Sequence, residues 1–120
     1  MQTKTELRVD HEFEALIPPL TDEEFTSLTA SIQAEGVLMP LVEWDGVVID
    51  GHHRLRICNE YDLPYKTIKR SFKDRDGAKL WIIRQQLARR NLNKYQRTEL
   101  ELLMADLDRA KGKEQQGTRT

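Results

Sequence analysis

Asp50, Gly51, His52, His53 and Arg54 follow directly on the apolar run Val47-Val48-Ile49. The chemistry open to such a run is anion binding. A strand that stops at a glycine and restarts as a helix presents unpaired backbone N–H groups and the positive end of a helix dipole. The glycine lets a ligand approach the backbone closely, and two imidazoles and a guanidinium stand beside it. The pattern predicts a phosphate cradle, hence an anionic ligand, in the first place a nucleotide. Two exposed polar histidines at a helix start are the plainer alternative, and for the pair taken alone the better one. A zinc site does not fit, because adjacent histidines point in different directions and Cys58 has no standard ligand spacing.

The surrounding sequence supplies elements that could position this run. Residues 1–10 are polar and expected to be flexible. Glu12 to Ile17 reads as a short strand stopped by Pro18-Pro19. Thr21-Asp22-Glu23-Glu24 has the spacing of a capping box, followed by Phe25, Leu28 and Ile32 at helical intervals and Gly36 as the stop. Val37 to Trp44 reads as a strand broken near its start by Pro40, and Asp45-Gly46 as a hairpin turn. Val47 to Ile49 returns and delivers Gly51 to the start of a helix with Leu55, Cys58 and Tyr61 turned inward. Tyr65 to Arg70 alternates like a strand. Asp74 or Asp76 can cap a helix bearing Leu80, Ile83 and Leu87. Asn93 and Gln96 form a further capping pair before Leu100, Leu103, Met104 and Leu107 at i, i+3, i+4, i+7. That stripe suits a core face, a partner helix or a dimer seam. Trp44 and Trp81 are expected to pack, and residues 111–120 read as a linker or tail.

Composition bounds the function. With 120 residues the chain is one domain by size, and a net charge of −1 gives no global field for nucleic acid. The basic residues are local: Arg84, Arg89, Arg90, Lys94 and Arg97 lie in a stretch without Asp or Glu. A solvated helix surface and a face for phosphate or DNA backbone are both open for it. A single cysteine forms no internal disulfide, which fits a reducing cytoplasm. No apolar run reaches membrane-spanning length.

Three segments resemble the N-terminal domain of ParB-type partition proteins, within the ParB and sulfiredoxin-like group. Ser31 to Val42 is similar to the helix, Gly-hydrophobic-x-x-Pro, strand unit. Ile49 to Arg56 stands at the Gly-Glu-Arg-Arg box, and Gln86 to Gln96 at the Asn-Leu-x-Arg-x-x-Leu-x-Pro box. The match spans roughly 17–106, with order and spacing kept. It implies a mixed α/β (α+β) fold, a small sheet with a hairpin flanked by helices, made of a core over 11–92, a C-terminal helix over 93–110 and the tail. It further implies binding of a nucleotide (CTP or ATP with Mg2+) on Gly51, His52, His53 and Arg54, with Gln86 and Arg89 close to it. DNA contact would come through Arg89, Arg90 and Lys94, or through a helix-turn-helix domain outside this sequence. The resemblance also implies plasmid partition or chromosome segregation as the setting, a bacterial cytoplasmic place beside DNA, and a homodimer.

The departures from the family pattern sharpen the expectation. His52 replaces the glutamate of the second box, Gln85 the acidic residue opening the third, and Gln86 the asparagine. Carboxylates lost there would have helped to hold magnesium, so hydrolysis is expected to be weak or missing while binding persists. Asp50 is the nearest remaining carboxylate, expected to take a metal contact or, as in related serine kinases with an Asp-Gly-x-His-Arg box, to act as a catalytic base. That makes a small-molecule phosphotransferase the rival function, and an interaction module with a decayed site the third. Sulfiredoxin chemistry is excluded, because His52 occupies the place of its cysteine.

Overall fold

The computed structural model describes residues 7–89 and 92–118, and the side chains of all of these but 111–118. The chain divides into two compact units, 1–72 and 73–120.

In the first unit, Asp10 accepts hydrogen bonds from the N–H groups of Glu12 and Phe13 and starts a one-turn helix, α1 (His11–Glu14). The strand expected over Glu12 to Ile17 is therefore helical. An Asp at N-cap satisfies two orphan donors locally, and that outweighs a short apolar alternation with no neighbouring strand to pair with. The capping box forms as expected: Thr21 Oγ1 accepts from Glu24 N (3.1 Å) and Glu24 Oε1 from Thr21 N (2.9 Å). It opens α2 (Asp22–Glu35), which ends at Gly36. Strand β1 (Leu41–Trp44) begins only after Pro40, and Asp45 and Gly46 turn the chain with φ of 51° and 79° into β2 (Val47–Asp50). Positive φ at both turn residues is what a tight two-residue hairpin with native twist demands.

The hairpin pairs Trp44 with Val47 and Glu43 with Val48, then slips so that Val42 faces Asp50, leaving Ile49 as an extra residue in β2. Helix α3 (His52–Tyr61) crosses back to β3 (Thr67–Lys69), which pairs parallel to β1 and completes the order β2-β1-β3. Arg8 borders β2 on its outer side, bonding Gly46 and Val48 through its backbone. One core cluster joins Leu7, Leu41, Val48 and Leu55; a second joins Ile32 of α2 to Ile57 and Cys58 of α3, with Phe25 and Leu28 beside them. Trp44 packs as expected, stacked on Phe13 at 6.5 Å and edge-on to Phe72 at 5.5 Å. Tyr61, expected inside, is exposed.

The second unit consists of α4 (Arg75–Leu87), capped by Asp74 through the N–H of Gly77, and α5 (Lys94–Thr118). Asn93 and Gln96 cap α5 reciprocally at 2.8 and 3.0 Å. The Arg97 guanidinium reaches the Leu87 carbonyl at 3.1 Å and so links the two helices. Leu80, Ile82 and Ile83 are buried on α4 and Leu100 on α5, whereas Leu102 and Tyr95 are exposed. Helix α5 continues to Thr118, into the segment expected to be a linker or tail.

Candidate nucleotide site at the start of helix α3

Strand β2 ends at Asp50, and Gly51 takes φ 108° as the N-cap of α3, with no side chain capping the helix. A methyl group on Gly51 would lie 2.7 Å from Leu41 Cγ and 3.2 Å from an Arg54 guanidinium nitrogen. Sterics and backbone angle both demand glycine here. The first-turn N–H groups of a helix have no acceptor within the helix, so this end of α3 offers donors and a positive dipole end to an anion.

The side chains of the run do not converge. Residues two apart on a helix are about 200° apart around its axis, and His52 and Arg54 separate accordingly. Arg54 turns toward the chain before β1. Its Nη1 donates to the Met39 carbonyl at 2.8 Å, and its Nη2 meets Asp50 Oδ2 at 3.3 Å. His52 turns the other way, into a cleft of about 410 Å³ lined by Val9, Glu14, Ile17, Pro19, His53, Leu55, Arg56 and Asn59. His52, Leu55, Arg56 and Asn59 have the i, i+3, i+4, i+7 spacing of one helical face, and the opposite wall comes from α1 and the segment around it. His53 is half-buried, and its Nε2 donates to the Pro18 carbonyl at 3.2 Å. Arg56 lies at the rim with its guanidinium 5.0 Å from the Phe25 ring centre.

His52 is the unusual group. It is 8% exposed, and neither ring nitrogen has a hydrogen-bond partner. Burial holds its imidazole below the usual value of 6.5, and His53 adds to this, while Glu14 and Asp50 oppose it. The ring is thus neutral near pH 7, with one N–H donor and one bare nitrogen acceptor.

The other residues singled out in the sequence lie in the second unit. Gln86 is buried on α4; Arg89 is exposed just past its end, and Lys94 is exposed at the start of α5. Arg90 lies outside the described residues. For a metal, the start of α3 offers the carboxylate of Asp50, paired with Arg54, and no group of three or more His, Cys, Asp or Glu able to hold an ion occurs among the described residues. Such a donor set does not by itself build a magnesium site. The cleft is not legible in the sequence, where its α1 wall reads as a strand. The spacing of His52, Leu55, Arg56 and Asn59 marks one face of α3 in the sequence, but not the wall opposite it.

No protein-family model and no curated protein matches the chain. Among solved structures it is similar to "Structure of the C2221 form of Pnob8-like ParB-N domain", with a TM-score of 0.78 and 28% identity over 95% of this chain. The match covers 46% of that chain, so the sequence spans about half the length of its structural neighbour.

Proposed function

Since the chain is a ParB-like N-terminal domain, we propose that it binds a nucleotide, CTP or another nucleoside triphosphate, and works as a nucleotide-dependent switch in a DNA partition or plasmid or phage DNA-transaction protein. The observation that carries this reading is Gly51: an uncapped helix start whose glycine admits no side chain, with Arg54 beside it. In this reading the phosphates meet the first-turn N–H groups and the Arg54 guanidinium, a planar donor suited to phosphate. Any magnesium would be held chiefly by the nucleotide's own phosphates. The ion pair between Asp50 and Arg54 favours binding over phosphotransfer, because it occupies the carboxylate that a phosphotransferase would need to hold its hydroxyl substrate.

DNA, a second copy of the chain and the exposed Arg89 and Lys94 belong to the same proposal: a nucleotide-controlled change in how protomers meet around DNA. Calorimetric titration with CTP, ATP and ADP, with and without magnesium, tests it. Binding by one of them, lost in Arg54→Ala while thermal unfolding shows the variant folded, supports the reading; no binding by any of the three sinks it. Consumption of nucleotide only after adding a small hydroxyl substrate would favour the phosphotransferase instead. Binding to duplex DNA that weakens with salt and with Arg89→Ala or Lys94→Ala would bring the basic residues in.

A further inference from the structure

The cleft on the far side of α3 from Arg54 has a chemistry unlike that of a phosphate site. Val9, Ile17, Pro19 and Leu55 give it apolar walls, and Glu14 places a carboxylate in its lining. Its floor is His52, buried and with both ring nitrogens unpartnered. A buried polar atom without a partner costs about 1–3 kcal/mol, and a turn of the His52 ring toward the cleft it lines would let a ligand there relieve that cost. The volume, about 410 Å³, falls in the range of small-molecule pockets. We propose that His52 is a selectivity residue: it hydrogen-bonds the uncharged heterocycle or sugar of the bound nucleotide inside this cleft, while the phosphates stay at Gly51 and Arg54.

This inference rests on the nucleotide-binding reading and divides the labour within it. Four charged or titratable groups stand around the ring: Glu14 from α1, and Asp50, His53 and Arg56 from the chain around the start of α3. The ring is buried and no carboxylate is hydrogen-bonded to either nitrogen, so it offers a donor and an acceptor rather than a cation. That combination suits a neutral polar ring and gives a phosphate little. The apolar walls suit the ring's faces.

The test is a titration series on the full chain with the nucleoside triphosphate that the wild type binds, the matching nucleoside, and pyrophosphate. His52→Leu is expected to weaken triphosphate binding about tenfold, the worth of one hydrogen bond at about 1.4 kcal/mol per tenfold, and nucleoside binding in the same proportion. Pyrophosphate affinity should move less than about twofold. His52→Gln, which keeps a donor and an acceptor, should restore most of the loss. Arg54→Ala should show the reverse split, with pyrophosphate hit hardest.

A wild type that binds the triphosphate as well as His52→Leu does would overturn the inference and leave nucleotide binding standing. So would an equal loss of pyrophosphate affinity in His52→Leu. Wild-type affinity that climbs on acidification from about pH 8 to 6, with the climb abolished in His52→Gln, would make His52 a cationic phosphate contact and overturn it as well. No binding of any nucleotide by the wild type would take down both readings together.

Discussion

Gly51 and Leu41 are in mutual contact at the limit of packing: a Cβ on Gly51 would stand 2.7 Å from Leu41 Cγ. Leu41 opens β1 and is fully buried, so it cannot retreat. The helix start is thereby pressed onto the sheet, and the glycine is what permits it. Gly51→Ala is expected to destabilise the protein by about 2–4 kcal/mol, combining a left-handed backbone with an overpacked contact. Urea unfolding measures this, and a loss below about 0.5 kcal/mol would show that the contact relaxes freely.

Asp10 decides whether α1 exists. Its carboxylate accepts from Glu12 N and Phe13 N at 3.0 and 3.1 Å, and Asp10→Ala should cost about 1 kcal/mol. Because α1 carries Glu14 of the cleft wall, amide exchange should quicken over 11–14 while the centre of α2 stays protected. Uniform protection in the variant would argue against local melting.

His52 should make stability depend on pH. Its folded value lies below 6.5, so the unfolded chain binds the proton more readily as pH falls. The contribution of the neutral ring is complete above about 6.5 and is lost as pH drops through the lowered folded value. His52→Gln should flatten this part of the stability profile, measured by urea unfolding at several pH values. A variant whose slope in that window matches the wild type would refute the assignment.

His52→Leu, in the absence of ligand, is expected to hold or raise the melting temperature. Replacing a buried group that has no hydrogen-bond partner by an apolar one of similar size removes a desolvation penalty. A drop of many degrees would mean that the ring has bonds in solution that the unliganded fold does not show.

Asn93 and Gln96 cap α5 through two reciprocal bonds. Asn93→Ala should lower stability by about 1 kcal/mol, and Gln96→Ala made on that background should cost little more, since the two act as one device. Full additivity in a double-mutant cycle would refute the reciprocity.

Much of the fold was legible because local chemistry and long-range packing agreed. The Thr21–Glu24 box, the Asp45-Gly46 turn and the Asn93–Gln96 pair are each decided within four residues, and each forms as read. Glu12 to Ile17 failed for the opposite reason. Its apolar alternation suited a strand, but the Asp10 cap acts within three residues while a strand needs a partner that only the tertiary fold supplies. The strand-to-helix junction at 50–52 was visible because a glycine after an apolar run is a local signal. The cleft was not, because its walls come from segments more than thirty residues apart, and no short pattern records that His52 faces inward without a partner.

Ile49 is the one residue by which β2 outruns β1. A bulge takes up its extra residue locally, so Asp50 still faces Val42 and the first turn of α3 keeps its setting. What the extra residue changes is the core: Val48 and Ile49 are consecutive and both buried, at 0% and 1% exposed. A regular strand would send one of two neighbouring side chains to the opposite face. Deleting Ile49 would let the hairpin pair regularly and would leave the core short of one apolar side chain. The irregular hairpin is thus a way for a four-residue strand to anchor itself twice in succession just before the helix start.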